Sequence, residues 1–265
     1  MRTHTCKIGC AIWTNSGQGA QDGKMSDFRS FAPDLDQEKS ILSLSAFESH
    51  HLVGTNRARP GDEVVLFNGS GLEWQAKLEI ADRHESTLKK ISHIQHPKPS
   101  LQVTLAIALI KGKTFDTILR QATELGVTQI QPLNTRWTQV RIKDASAKAE
   151  KWNQQLIEAC KQSGNPWLPK LHHPKQLDQF LESRDFESAV VASLESDADS
   201  WKNLTLSSKT TMFVGPEGDF APEEYQQMKQ KGIRPVSLGS NVLRSETAAV
   251  SAISILMEAM RQTGD

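Results

Sequence analysis

Hydrophobic and polar positions change their rhythm about a third of the way along the chain. In the first part the apolar residues come in short runs. Residues 63–67 form one, and residues 73–80 alternate in part as a pairing strand does, with Asn68-Gly69-Ser70-Gly71 between them as a tight turn. The first 97 residues therefore predict mostly strand, closed into a small β-barrel, with the Gly- and Ser-rich residues 15–30 as a loop. His96-Pro97-Lys98-Pro99 interrupts regular pairing and sets the expected division into domains 1–97 and 98–265. Beyond it, residues 101–110 are almost continuously apolar, as in a strand buried on both faces. Residues 114–125 then place Phe115, Ile118, Leu119, Ala122 and Leu125 on one helical face, and Gly126 ends that helix. Strands follow at 128–133, 189–194, 210–214 and 235–238, with helices at 145–162 and 246–260. This alternation predicts a parallel α/β sheet, and no internal repeat is visible.

Composition fits this division. With 265 residues, 37% of them hydrophobic and 23% charged, the chain can build one large domain or two moderate ones. No apolar run approaches a membrane span, and Met1-Arg2-Thr3-His4-Thr5-Cys6 lacks the apolar core of a secretory signal, so a cytoplasmic location is expected. Cys6, Cys10 and Cys160 are sparse and odd in number, as reduced thiols are, and without a second Cys pair no metal site with His4 is expected. Net charge is zero, but Lys and Arg outnumber Asp and Glu by 12 to 5 over residues 98–176, against 11 to 12 before and 8 to 14 after. That basic middle third could face phosphates or be an ordinary solvated surface.

Candidate chemistry is concentrated late in the chain. Phe213-Val214-Gly215-Pro216-Glu217-Gly218-Asp219-Phe220 makes a sharp glycine-flanked turn at the end of a buried strand. Leu238-Gly239-Ser240-Asn241-Val242-Leu243-Arg244-Ser245-Glu246-Thr247-Ala248 follows the next strand and opens the last helix. Two strand ends thus open towards one region, where open α/β sheets bind ligands. Neither a Gly-x-Gly-x-x-Gly nor a Gly-x-x-x-x-Gly-Lys-Ser/Thr loop is present, so a dinucleotide fold and a P-loop ATPase are unsupported.

Together these two loops resemble the C-terminal signature of the bacterial 16S ribosomal RNA uridine-N3 methyltransferases, in the knotted SPOUT superfamily. Ile110-Lys111 with Ala122-Thr123-Glu124-Leu125-Gly126-Val127, the helix 152–163, and His50-His51-Leu52 with Arg57, Gly61-Asp62 and Asn68-Gly69 are similar to the same family. The resemblance implies a PUA-like RNA-binding barrel followed by a parallel-sheet domain with a deep trefoil knot. It also implies S-adenosylmethionine as cofactor, 16S rRNA in the small subunit as partner, and a homodimer. Cofactor contacts would come from Leu194, Gly215, Pro216, Glu217, Gly218, Leu238, Gly239, Leu243, Arg244, Glu246, Thr247 and Ala248. Arg244 carries the electrostatic role, since methylation at N3 requires loss of the N3 proton and a cation stabilises the anion; a salt bridge to Glu246 or Glu217 is its structural alternative. Glu124 is a candidate base through the resemblance alone, with pairing to Lys111 or Arg120 as its alternative. Arg57, Arg59, Lys111 and Arg136 are the expected RNA contacts. Glu246 could equally cap the last helix.

The chain departs from the family pattern twice. The usual Glu-Arg-Ser is Thr135-Arg136-Trp137, and the usual Gln-Ser-x-Arg is Gln162-Ser163-Gly164-Asn165, which lacks the arginine. Trp137 or Trp167 offers a face that could stack a flipped base in compensation, or could serve packing.

Overall fold

The computed structural model describes residues 28–194 and 198–262. His4, Cys6, Cys10 and residues 15–27 of the expected loop lie outside that range. Strands β1 (Phe28–Phe31), β2 (Ile41–Ser43), β3 (Glu63–Phe67), β4 (Leu72–Ile80) and β5 (Thr87–Gln95) form a sheet in the order β1-β3-β4-β5-β2. Helix α1 (Ala46–Ser49) runs into a π-helical turn, His50–Thr55, between β2 and β3. Residues 28–30, the end of the expected loop, are strand instead: β1 pairs with β3 in parallel, and Ser30 is buried. Alternation explains the sheet. Val64, Leu66, Trp74, Ala76, Leu78 and Leu88 all point into one core with Leu52. The expected closed barrel is, among the described residues, a five-stranded sheet with β1 and β2 at its edges.

A second sheet is wholly parallel. It is built from β6 (Gln102–Ala108), β7 (Gln129–Asn134), β8 (Lys170–Leu171), β9 (Lys175–Gln176), β10 (Ala189–Ala192), β11 (Lys209–Val214) and β12 (Arg234–Val236). The order is β12-β10-β11-β6-β7-β8, with β9 also on β7. Helices α2 (Lys113–Glu124), α3 (Ile142–Ser146), α4 (Ala149–Ser163), α5 (Leu177–Glu182), α6 (Pro222–Gln230) and α7 (Ser245–Gln262) connect and cover it. The unbroken apolar run of β6 is explained by two cores. Val103, Leu105 and Ile107 pack with residues of α2, α4 and α7, while Ala106 packs with Leu133, Phe180, Phe213 and Tyr225.

The single helix expected at 145–162 is two. Lys148 N donates to Ala145 O at 3.0 Å, closing α3, and α4 restarts at Ala149. On α4, Trp152 packs on Phe115, ring centroids 4.7 Å apart, with Trp152 Nε1 donating to Asp116 Oδ1 at 3.1 Å. Strands β10 and β12 stop two residues short of the expected ends, leaving Ser193, Leu194, Ser237 and Leu238 as loop. Of those loop residues, Ser193, Leu194 and Leu238 reach the site described below.

The two sheets are joined through α4. Lys161 Nζ lies 3.1 Å from Glu48 Oε2, 2.8 Å from Glu158 Oε1 and 3.3 Å from His51 Nδ1; the Lys161 and Glu48 side chains are only 6% and 5% exposed. Past α4, Gly71 N donates to Pro166 O at 3.1 Å and Leu168 N to Gly69 O at 2.9 Å. Gly71 has φ 89° and the Trp167 ring lies where its Cβ would be, 2.4 Å from Cζ2, so only glycine fits. Neighbouring Cys160 is sealed in, and burial pushes its thiol up to about 12.

Candidate active site

The C-terminal ends of β10, β11 and β12 and the first turn of α7 enclose a cavity of about 480 Å³. Two loops shape it. After β11, Asp219 N donates to Pro216 O at 3.0 Å to close a turn, with Asp219 at φ 62°. A non-glycine residue pays for that conformation, and the structure holds it: Asp219 Oδ1 accepts from Phe220 N at 2.8 Å and Tyr225 Oη at 2.9 Å. Glu224 then ties two loops together, one carboxylate oxygen accepting from Ala221 N and the other from Arg136 N, each at 2.8 Å. The second loop contains Gly239 at φ 130°, open to glycine alone, and leads into α7, where Ala248 N donates to Arg244 O at 2.8 Å.

Most of the residues expected to hold a cofactor come together here. Leu194, Gly215, Pro216, Glu217, Leu238, Gly239, Leu243, Arg244, Glu246 and Ala248 all line the cavity. Gly218 and Thr247 do not: Gly218 backs onto Trp137, 3.5 Å from the Trp137 Cβ to a built Cβ, and Thr247 is exposed on α7. Thr114, Ala192, Ser193, Asp219, Asn241 and Val242 line it too and were not singled out from the sequence. Asn241 and Val242 stand inside the motif that contains Leu238 and Arg244. Thr114 carries no local signal, because α2 brings it to the site from far away in the chain.

Electrostatics separate the charged residues. Among the described residues, Glu217, Asp219 and Glu246 line the cavity with one cationic side chain, Arg244. Among the described residues Arg244 makes no ion pair, so the salt bridge left open by its spacing to Glu217 and Glu246 is not formed. Glu124 is elsewhere. Its carboxylate accepts from Arg120 Nη1 at 2.7 Å in a cleft between α2 and α4, outside the cavity, which is the structural alternative its i,i+4 spacing allowed. Lys111 is exposed past the end of β6. Arg57 and Arg59 are exposed on the first sheet's π-turn-to-β3 connection, Arg57 at φ 61°. Arg136 is exposed, its guanidinium 5.5 Å from the Trp137 ring centroid.

Residues 96–257 match the family model described as an RNA methyltransferase domain, and residues 48–91 match the RNA methyltransferase PUA domain. Over 230 residues the chain is 34% identical to the ribosomal RNA small subunit methyltransferase E of Synechocystis, covering 83% of this chain and 75% of that one. The chain belongs to the ribosomal RNA small subunit methyltransferase E family. Its fold agrees with that of a Legionella pneumophila methyltransferase solved with bound S-adenosylmethionine, at TM-score 0.82 and 31% identity over 88% of this chain and 97% of that one. The Neisseria gonorrhoeae ribosomal RNA small subunit methyltransferase E, also solved with S-adenosylmethionine, matches at TM-score 0.79 and 27% identity over 87% and 96%. The architecture is thus a PUA-like N-terminal unit and a SPOUT-like parallel α/β unit.

For a member of the methyltransferase E family, the two departures in sequence have different structural outcomes. Gly164, at φ 75°, ends α4, and Asn165 Oδ1 accepts from Trp167 N at 2.9 Å, so the segment lacking the family's arginine docks Trp167 on Gly71. Trp167 is therefore committed to joining the two sheets. Trp137 is left half in solvent beside the cavity's first loop.

Proposed function

We propose that this chain transfers a methyl group from S-adenosylmethionine to N3 of a uridine in the 16S ribosomal RNA of the small subunit. One observation carries the reading: a cationic side chain with no ion pair among the described residues, Arg244, lines a cavity whose other charged side chains are carboxylates. The cavity fits the cofactor chemically. Leu238, Leu243 and Ala248 offer apolar walls for an adenine, while Glu217 and Glu246 suit ribose hydroxyls and positive centres. When bound, S-adenosylmethionine supplies an electrophilic sulfonium methyl. The chain's part is to orient the base and stabilise the anion left when N3 loses its proton, which Arg244 does through charge. Arg57, Arg59, Lys111 and Arg136 are exposed cations for backbone phosphates. The left-handed conformation of Arg57 supports that role, since strain of this kind is retained where a side chain must be aimed.

The same reading includes a domain boundary at 97/98, a trefoil knot among the cavity loops, and a homodimer in the cytoplasm. Among the described residues no helix is long and apolar enough to cross a membrane.

The test is transfer of labelled methyl from S-adenosylmethionine to small ribosomal subunits purified from a strain lacking this modification, followed by nucleoside mass spectrometry. 3-Methyluridine is the expected product. A methylated ribose or another methylated base would overturn the N3 assignment, and no transfer with cofactor bound would overturn the substrate. In the same assay Glu124→Gln leaves turnover unchanged, because its exposed pair with Arg120 is a helix-surface contact and not part of the cavity. Lost turnover with an unchanged melting temperature would return Glu124 to the list of proton acceptors.

A further inference from the structure

Trp137 is a large side chain at 50% exposure and belongs to none of the buried clusters of the described residues. Yet its backbone is firmly placed. Thr138 N donates to Thr135 O, Thr135 N donates to Thr138 Oγ1, both at 3.1 Å, and Arg136 N is held by Glu224. The other Glu224 oxygen holds Ala221 N, so this turn and the first cavity loop are braced by one carboxylate. Trp137 accordingly abuts Gly218, which sits between the cavity-lining Glu217 and Asp219. Arg136 stands over its ring, with a side chain that is itself exposed.

We infer that Trp137 is the stacking platform on which the target uridine rests when it is withdrawn from its RNA stack and offered to the cavity. The inference rests on the methyl-transfer reading above. A base must leave its neighbours before its N3 edge can be reached, and that loss is offset where an aromatic face replaces them. An indole carried on a hydrogen-bonded turn and set against the first cavity loop provides such a face without ordering a long segment. Arg136 beside it places a cation where the extruded nucleotide's phosphate must pass. Base–aromatic stacking tolerates every base, so an aromatic face here serves uracil without hydrogen-bond readout.

The experiment uses the full chain with Trp137→Leu, Trp137→Phe and Trp137→Ala, assayed on unmodified small ribosomal subunits, alongside S-adenosylmethionine affinity and sedimentation mass. Leu and Ala are expected to raise KM for the subunits about 5- to 150-fold, the range of one lost base–aromatic stack. Phe restores most of the affinity, and cofactor affinity and mass stay unchanged. A Leu variant as good as Phe overturns the inference, because mere packing would accept either. A fall in mass for Trp137→Ala also overturns it, placing a second copy of the chain on the ring. If wild type methylates subunits and the Leu variant matches it, only this inference fails; if wild type transfers nothing to them, the functional reading fails first.

Discussion

Arg244→Ala is expected to lower methyl transfer about 100- to 1000-fold at saturating S-adenosylmethionine while the chain still folds. Removing one preorganised group that stabilises developing negative charge typically costs about 10²–10³ in rate, and among the described residues Arg244 is the one cationic side chain lining the cavity. Folding is spared for a specific reason. Since Arg244 makes no ion pair among the described residues, its loss strips none of the described carboxylates of a partner, and the helical bond from Ala248 N to its carbonyl is backbone. The variant should regain part of its activity as pH rises, because the N3 proton then leaves without help from the guanidinium. Arg244→Lys, keeping charge but not the planar fork, falls between the two. The decisive measurement is single-turnover transfer at several pH values with cofactor affinity measured in parallel. Wild-type turnover by the alanine variant at full cofactor occupancy would remove Arg244 from the chemistry.

How far the site could be read without coordinates depended on how local each part of it is. Gly215 to Glu217 and Leu238 to Ala248 are contiguous loops, each announced by glycine and a preceding apolar strand, and the structure brings them to one cavity. Thr114 and Ser193 reach the same cavity from other parts of the chain, and only the order β10-β11-β6 makes them neighbours. The parallel sheet was legible because a strand buried on both faces must be apolar throughout, as β6 is. β1 was not, because its four residues, Phe-Arg-Ser-Phe, follow a Gly- and Ser-rich stretch and gain their strand character from pairing with β3. The break between α3 and α4 was hidden because both halves keep helical composition, and what marks it is the bond of Lys148 N back to Ala145 O. For Arg244, spacing permitted both a free cation and a salt bridge, and only geometry separates them.

Lys161→Met destabilises the chain by about 3–5 kcal/mol, the cost of leaving a buried charge without its partner. Glu48, 5% exposed, would keep its carboxylate with the Phe31 N–H at 3.2 Å as a remaining donor, too little to replace an ammonium. The double variant Lys161→Met with Glu48→Gln should recover most of that loss. Gln at 48 keeps an acceptor for Phe31 N while removing the orphaned charge, and Met keeps the apolar stem of the lysine. Urea unfolding of both variants measures the difference, and a double variant no more stable than Lys161→Met would show that the charge is not what the pair supplies. The position of the pair extends the consequence to function. Lys161 lies on α4 of the parallel sheet and Glu48 on α1 of the PUA-like unit, so this contact and the Trp167–Gly71 packing fix one unit on the other. Below its unfolding temperature, Lys161→Met should therefore bind small subunits more weakly while S-adenosylmethionine affinity holds, because the exposed Arg57 and Arg59, proposed to meet phosphates, are carried by a unit left with only the Trp167–Gly71 side of its attachment.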